Sequence, residues 1–423
     1  MRKIAAACIL AFINAAMAFS QVIVADHTVV DKYDDIPAQY INEVKKMWVS
    51  IAGESHSEAY RVGCELLEAL DSKFQVNVTE SGTPEAYTTS HLRISRATWG
   101  DRDYSTGWIY SYGEEDWFTN ATAISRTKAG LLYCKNNGPT LTALGFGWCY
   151  DATYPGVSGS VDPVYYTKWG GETVGSPEGE KPWGLDAADQ SLTGNSVCLD
   201  TYLNATDGYV AYCTANSIPT KIIYTTGPVD ENYQSGLNQG EIGYQQYLKY
   251  QRIRQHVSSL GSAYLFDYAD ILSYNNAGVK ATTTWTDRNG VVQTYPLIHS
   301  DNNGGNYVAH IGSVGAIRLA KALWWLLARM AGWDGGTTSS DTNIENPQDD
   351  IKVTVQDTEI RVTADLKYLN GKIDLFNLIG NLVEEKTIRG DQTVFMTAGY
   401  APGIYLVVAS KGALRETTKI AIQ

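Results

Sequence analysis

The sequence predicts an α/β domain with a parallel β-sheet covered by helices on both faces, followed by a small all-β domain. Between residues 47 and 333, short buried apolar runs alternate with amphipathic helical patterns, which is typical of a parallel sheet. Residues 335–350 are polar and rich in Gly, Ser and Thr, and they have no apolar periodicity. From residue 351 onward, short alternating strands separated by turns such as Asn370-Gly371 indicate a small all-β sandwich.

The first 18 residues have the pattern of a secretory signal peptide. Arg2 and Lys3 precede a short apolar stretch, and residues 16–18 form an A-x-A cleavage site. No later run of about 18 apolar residues follows, so we expect export and no membrane span. The predicted division is a signal peptide at 1–18, the α/β domain at 19–334, a linker at 335–350 and the β domain at 351–423.

Charge and cysteine spacing exclude two classes of function. The formal net charge is −13, whereas a nucleic-acid partner requires a basic face. No pair among the 6 cysteines has CxxC spacing, and no Cys/His cluster has the spacing of zinc ligands. We therefore expect no nucleic-acid partner, no metal and no cofactor.

The first strand, turn and helix of the domain deliver a serine to an exposed position. Residues 47–52 form an apolar run, Gly53 to Ser55 a sharp turn, and residues 57–70 an amphipathic helix. Ser55 therefore lies at the start of a helix, where free backbone N–H groups can stabilise an anion. That position suits a nucleophile, and it equally suits an ordinary N-cap.

Further strands are predicted after this helix, and the carboxyl ends of parallel strands meet at one edge of a sheet. Gly82 follows the second predicted strand and Gly147 ends the third. Ligands bind at this edge in open α/β sheets, so we expect Ser55, Gly82 and Gly147 to lie there together. The predicted strands after the first cover residues 73–79, 141–150, 221–226 and 264–268.

Two long inserts, at 83–135 and 150–200, are rich in glycine and aromatic residues. Exposed aromatic faces would suit the stacking of sugar rings. Alternatively, the tryptophans form the core of the inserts, because most tryptophans are largely buried. The five tryptophans concerned are Trp99, Trp108, Trp117, Trp169 and Trp183.

A serine nucleophile needs a histidine base within hydrogen-bond reach, and the chain has 6 histidines. His56 directly follows Ser55, and neighbouring side chains on a helix diverge, so we set it aside. His310 is better placed, because it immediately precedes the last helix of the domain, and His299 and Asp301 lie in the same loop. The alternative for His310 is a polar loop residue.

Together the two halves resemble the SGNH, or GDSL-like, serine hydrolase family. Gly53-Glu54-Ser55 resembles its first block, and His310, followed five residues later by Gly315, resembles its last block. The resemblance implies a flavodoxin-like three-layer α/β/α sandwich and ester hydrolysis through an acyl-serine intermediate. Ser55 would attack the ester, and His310 would take and return the proton.

The resemblance also implies an oxyanion hole. The backbone N–H groups of Ser55 and Gly82 stand where the family places two of the donors. The asparagine of the family's third block is missing, and the Trp148 indole N–H is our candidate replacement, since one such donor is typically worth about 2.7–4 kcal/mol. Glu54, Gly147 and His299 are the expected substrate contacts.

The acid that orients the histidine also departs from the family. The family's acid precedes the histidine by three residues, and that position is Tyr307. We therefore expect Asp301 to act instead. Asn303 or a backbone carbonyl is the alternative, which would give a dyad.

The C-terminal segment resembles the type IX secretion sorting domain. The resemblance rests on GKIDLFNLIGNLVEE at 371–385 and GIYLV at 403–407. It implies passage across the outer membrane, recognition by the type IX secretion machinery, and a final location that is secreted or at the cell surface. The alternative is a small accessory sandwich that binds glycan or stabilises the main domain.

These inferences predict an exported serine esterase that removes acyl groups, such as acetyl, from polysaccharides or other small esters, without a cofactor. A lipid esterase is the variant of this prediction. The hypothesis of a different class is a catalytically impaired glycan-binding protein of the cell surface on a hydrolase scaffold.

Overall fold

The computed structural model forms two units, Met1–Gly336 and Thr337–Gln423. Each unit has its own hydrophobic cluster. The described residues are 22–53, 55–79, 89–96, 116–148, 184–193, 196–229, 239–287, 290–336, 351–356, 359–364, 368, 370–377, 382–389, 392–400, 403–412 and 414–422.

The described part of the first unit contains a seven-stranded sheet in which every pairing is parallel. The strands are β1 (Val22–Ala25), β2 (Trp48–Gly53), β3 (Val76–Thr79), β4 (Leu92–Ser95), β5 (Ala143–Gly147), β6 (Lys221–Thr225) and β7 (Ala263–Phe266). Their spatial order is β1-β7-β6-β5-β2-β4-β3. This confirms the predicted parallel sheet. The predictions missed the edge strand β1, and β4 lies inside what we took for an insert.

Helices cover both faces of this sheet. Phe146 of β5 contacts Tyr202, whereas Phe266 of β7 contacts Tyr60. The strand register puts Phe146 and Phe266 on opposite faces, because side chains alternate along a strand. The helices are α1 (Ala38–Val44), α2 (Glu58–Leu70), α3 (Asp116–Thr119), α4 (Ala121–Asn137), α5 (Gln190–Thr193), α6 (Leu199–Ala215), α7 (Gln239–Ser259), α8 (Tyr268–Ser273) and α9 (Ser313–Met330). Tyr60 belongs to α2 and Tyr202 to α6, so the mixed α/β domain has three layers.

Helices α2 and α9 lie against each other at very short range. A Cβ added to Gly63 of α2 would lie 2.1 Å from the carbonyl oxygen of Ala316 in α9. Only glycine permits this approach of two backbones. Most residues of helix α9 are buried, and they include the fully buried Trp324.

Short elements complete the first unit. Hairpins are formed by β8 (Thr282–Thr286) with β9 (Val292–Pro296) and by β10 (Tyr307–Val308) with β11 (Ile311–Gly312). A 3-10 helix of 9 residues covers His27–Asp35, and short 3-10 turns cover Ser55–Ser57, Ala187–Asp189 and Ser300–Asn303. No described helix combines the length and the hydropathy needed to span a bilayer.

The second unit consists of two antiparallel sheets in its described residues, with orders β12-β13-β16 and β15-β14-β17-β18. The strands are β12 (Ile351–Gln356), β13 (Glu359–Ala364), β14 (Lys372–Asn377), β15 (Leu382–Thr387), β16 (Gln392–Met396), β17 (Gly403–Lys411) and β18 (Leu414–Ile422). Side chains of both sheets, such as Ile360 and Leu375, share one hydrophobic cluster. The change to short alternating strands at residue 351 was therefore read correctly.

Candidate active site

The carboxyl ends of β2 and β5 press against the turn that carries Ser55. Gly53, the last residue of β2, has φ +119°, and an added Cβ would lie 2.2 Å from the carbonyl oxygen of Gly147. A Cβ on Gly147 would in turn lie 2.4 Å from the Cβ of Ser57. The 3-10 turn Ser55–Ser57 therefore rests directly on the sheet edge. Of Ser55 itself, only the backbone is among the described residues.

This edge is the topological switch point of the sheet. From β2 the chain first forms β3 and β4 on one side and then β5 on the other. Loops leave the sheet in opposite directions at such a point, which opens a crevice where ligands bind in α/β proteins. The predicted position of Ser55 at a strand end is thereby consistent with a binding crevice.

Buried polar contacts hold the Ser55–Ser57 turn against strand β2. Ser57 is fully buried, and its hydroxyl lies 3.5 Å from the Gly53 carbonyl oxygen. Arg61, 1% exposed, donates from Nη1 to the Ser57 carbonyl oxygen at 3.1 Å and to the Ile51 carbonyl oxygen at 3.4 Å. A buried serine in these contacts cannot meet a substrate, so Ser57 supports the turn.

His310 lies in the two-residue turn of the β10–β11 hairpin. Tyr307 pairs with Gly312 and Val308 with Ile311, which leaves Ala309 and His310 as the turn. Their φ angles are +47° and +66°. Two positive φ angles define a type I′ turn, which normally uses Asn-Gly. A non-glycine residue in this region typically costs about 1–3 kcal/mol, and such strain tends to occur at functional sites.

The hairpin brings His310 onto the Ser55–Ser57 turn. The imidazole rings of His310 and His56 stack with centroids 4.9 Å apart and an angle of 25° between their planes. His310 is exposed, whereas His56 is 1% exposed. Burial, together with the charge of the nearby His310, lowers the pKa of His56 to about 3. His56 is therefore neutral at ordinary pH, and His310 is the ring that faces solvent.

Among the described residues, Tyr307 is the hydrogen-bond partner of His310. The Tyr307 hydroxyl lies 3.1 Å from Nδ1 of His310, with the two rings nearly perpendicular at 87°. Tyr307 occupies the position where the resembling family has its acid. Its hydroxyl can donate or accept, so this contact is compatible with either tautomer of the imidazole.

The structure does not bring Asp301 to His310, so our expectation for Asp301 needs correction. Its carboxylate accepts a hydrogen bond from Nδ2 of Asn275 at 3.2 Å and lies 3.7 Å from Nδ1 of His299. His299 accepts from the backbone N–H of Asp301 at 3.2 Å and so caps the Ser300–Asn303 turn. No hydrogen bond or ion pair joins the described side chains of Asp301 and His310.

The expectation for Trp148 was wrong. Its indole N–H donates to the carbonyl oxygen of Thr225 at 3.0 Å, and the side chain is 2% exposed. The ring packs against Tyr202 and Phe118 in the core. An N–H already donated inside the core is not available to an oxyanion.

The other predicted site residues are only partly tested. Gly147 lies at the predicted edge, but Ser57 fills the space beside it, so its described contact is structural. Glu54 and Gly82 lie outside the described residues. Among the insert tryptophans, Trp117 is described, and it is a core residue that contacts Phe146.

Among the described side chains, one group has the composition of a metal site. The possible ligand atoms of Asp26, His27 and Asp270 lie within 4.8 Å of one another. Nδ1 of His27 lies 2.5 Å from the Asp270 carboxylate, and Asp26 accepts from the Thr28 backbone N–H at 2.9 Å. Burial and the charge of Asp270 raise the pKa of Asp26. These atoms already form hydrogen bonds within the protein. The expectation that the protein binds no metal stays a prediction.

The sequence analysis missed His56 and Tyr307 as members of this site. His56 was set aside as a base because neighbouring side chains diverge, which also holds in the 3-10 turn at residues 55–57. It enters the site in another way, as the ring on which His310 stacks. Tyr307 was noted only as the place of a missing acid. The signal that was available is its spacing of three residues from His310.

Comparisons with known proteins identify only the C-terminal unit. No curated protein matches the chain. The endo-beta-1,4-mannanase of Thermotoga petrophila aligns with TM-score 0.19 and 10% identity over 93% of this chain and 72% of that chain. A double mutant of the Cellulomonas fimi endo-beta-1,4-mannanase gives TM-score 0.16 and 7% identity over 95% of this chain and 99% of that chain. Similarities this low carry no argument about fold or activity.

The second unit gives a clear result. Residues 346–423 match the family model of the secretion system C-terminal sorting domain. The match covers the two antiparallel sheets and agrees with the resemblance seen in the sequence. Residues 346–423 are therefore a type IX sorting domain, and the protein is exported to the cell surface or secreted.

Proposed function

We propose that the protein is an exported serine esterase that hydrolyses acyl esters through an acyl-serine intermediate at Ser55. The observation that carries this proposal is the convergence of two distant segments. The His310 ring stacks at 4.9 Å on His56, the residue next to Ser55. A nucleophile and a base separated by about 250 positions need such a convergence.

The strand order supports the family resemblance. Strands β4, β2, β5, β6 and β7 lie side by side. Numbered along the chain from β2, with β3 left out as an edge strand, their order is 2-1-3-4-5, the order of flavodoxin-like folds. We therefore include the flavodoxin-like SGNH architecture in the proposal, with β1 and β3 as additional edge strands.

The reaction follows from the roles of the two residues. The Ser55 oxygen attacks the ester carbonyl carbon while His310 accepts the hydroxyl proton. The tetrahedral intermediate collapses, and the leaving alkoxide takes that proton from His310. A water molecule, deprotonated by His310, then attacks the acyl-serine carbonyl carbon. The second tetrahedral intermediate collapses, the bond to the Ser55 oxygen breaks, and His310 returns the proton to that oxygen as the acid is released. The backbone N–H groups of Ser55 and Gly82 are the proposed oxyanion donors, without Trp148.

Acylated polysaccharide is the proposed substrate class. Export supports it, because an exported enzyme meets extracellular polymers. An exposed aromatic side chain supports it as well, since Tyr307 is 74% exposed beside His310. Aromatic faces of this kind pack well against the C–H faces of sugars.

A chromogenic acetate ester and a fluorophosphonate probe test the proposal. Ser55→Ala should abolish both hydrolysis and labelling, whereas Ser57→Ala should still be labelled because Ser57 is buried. His310→Ala should prevent labelling, and His91→Ala, at the opposite end of β4, should not. Equal product release by wild type and Ser55→Ala would refute the esterase. Labelling lost in His299→Ala but kept in His310→Ala would assign the base to His299.

One observation favours a second candidate function. The described partner of His310 is a neutral phenol rather than a carboxylate, which weakens a general base. A glycan-binding protein with impaired turnover fits that arrangement. Binding of acetylated xylan by Ser55→Ala and wild type with equal affinity, together with no ester release by either, would favour this candidate.

A further inference from the structure

The environment of His310 contains a tyrosine where a carboxylate is expected. No carboxylate of the described residues is hydrogen-bonded to His310, and Asp301 bonds to Asn275 instead. The Tyr307 hydroxyl lies 3.1 Å from Nδ1, on the first strand of the hairpin that carries His310. This contact joins a strand residue to the turn residue three positions later.

We propose that Tyr307 is the positioning residue of His310, in place of the missing acid. This inference rests on the proposed esterase function. In the productive state Nδ1–H donates to the phenolic oxygen of Tyr307. That tautomer leaves the lone pair of Nε2 available to accept a proton, as a general base requires.

The proton balance of this arrangement differs from that of a triad with a carboxylate. The Ser55 hydroxyl proton moves to Nε2 as the bond between the serine oxygen and the carbonyl carbon forms, and the imidazole becomes an imidazolium. Tyr307 keeps its own proton and remains neutral throughout. The proton on Nε2 then passes to the leaving oxygen. Tyr307 therefore accepts from Nδ1–H and orients the ring, but it supplies no negative charge to the imidazolium.

The hairpin provides the rest of the positioning. Ala309 and His310 both have positive φ. This backbone conformation sets the direction in which the His310 side chain leaves the hairpin. One side of the ring stacks on buried His56 at 4.9 Å. A stack, a strained turn and one hydrogen bond to the phenol together hold the orientation of the ring without a carboxylate.

The test compares Tyr307→Phe, Tyr307→Asp and the control Tyr40→Phe, which lies on α1. In Tyr307→Phe we expect kcat to fall about five- to tenfold with KM unchanged, which is about 1–1.4 kcal/mol at 1.36 kcal/mol per factor of ten. Tyr307→Asp should lower kcat at least as much as Tyr307→Phe, because the shorter side chain does not bring its carboxylate to the position of the phenolic oxygen beside Nδ1.

Nitrogen NMR of ¹⁵N-histidine-labelled protein gives a readout that does not depend on activity. Wild type should show Nδ1 of His310 protonated and Nε2 unprotonated, and Tyr307→Phe should give a mixture of tautomers. Unchanged tautomers and unchanged kcat in Tyr307→Phe would overturn the inference. If wild type hydrolyses no ester but Tyr307→Phe still changes the tautomer, the esterase fails and the role of Tyr307 in fixing the imidazole stands.

Discussion

Replacement of Gly147 by alanine tests whether the sheet edge determines the placement of the Ser55–Ser57 turn. The new Cβ would lie 2.4 Å from Cβ and 2.8 Å from Cα of Ser57, where ordinary contacts begin at 3.4 Å. Neither atom belongs to a flexible side chain, so the turn must move by about 1 Å. Overpacking of this kind typically costs about 1–3 kcal/mol. For a domain of this size the melting temperature should fall by about 2–10 °C.

The same movement should reduce activity. Misplacement of a reacting group by about 1 Å can cost about 100-fold in rate, so we expect kcat for an acetate ester to fall by that order. The fall should exceed what the lower stability alone would cause at the assay temperature. Circular dichroism melts and initial rates measured well below the melting temperature separate the two effects.

Two variants serve as controls for Gly147→Ala. Gly261→Ala adds the same methyl group where no atom lies within 4 Å, so it should melt and react like wild type. Ser57→Gly removes the nearer atom, so Gly147→Ala combined with Ser57→Gly should recover part of the loss. If Gly147→Ala melts within 1 °C or so of wild type and keeps its kcat, the tight contact between β5 and the turn is not what places Ser55.

Two further predictions concern the residues around His310. The pKa of His56 is about 3 when folded and about 6.5 when unfolded. The unfolded state therefore binds more protons between these values, and the free energy of unfolding decreases as the pH is lowered through that window. Between pH 7 and pH 5, the free energy of unfolding measured in urea melts should decrease by about 2 kcal/mol less in His56→Phe than in wild type. An identical pH dependence of the two proteins would contradict a buried neutral imidazole at His56. At the turn, Ala309→Gly should leave stability unchanged or raise it by up to about 1 kcal/mol, whereas Ala309→Val should lower it by more than about 1 kcal/mol, because only glycine adopts φ +47° without strain. Equal melting of the glycine and valine variants would show that the turn is not strained.

The sheet and the meeting of its strand ends follow from the sequence for a simple reason. Apolar runs that alternate with helices predict a parallel sheet, and the carboxyl ends of parallel strands lie at one edge of the sheet. Gly53 and Gly147 were therefore predictable neighbours. It was less predictable which side chains at this edge are available to a ligand. Trp148 directly follows a strand end, but its indole N–H is used by the Thr225 carbonyl oxygen, and no local pattern reports that contact.

The partner of His310 was unpredictable for a different reason. The choice between Asp301 and Tyr307 depends on whether the chain before the last helix is an open loop or a hairpin. A two-residue hairpin turn is normally signalled by Asn-Gly or Asp-Gly, whereas here it is formed by Ala309 and His310. The turn is imposed by the tertiary structure and has no local sequence signal. We therefore predicted an open loop, and in such a loop Asp301 was the expected partner of His310.

The helix pair α2 and α9, which continues from the two halves of the site, controls the distance between them. The Ser55–Ser57 turn leads directly into α2, and the hairpin of His310 leads directly into α9. At Gly63 these two helices approach until a Cβ would lie 2.1 Å from the Ala316 carbonyl oxygen. Rigid helices in such contact transmit their spacing to the residues at their amino ends. A base without a carboxylate depends more on orientation than a full triad does, so the close packing of α2 on α9 would set how well His310 meets Ser55.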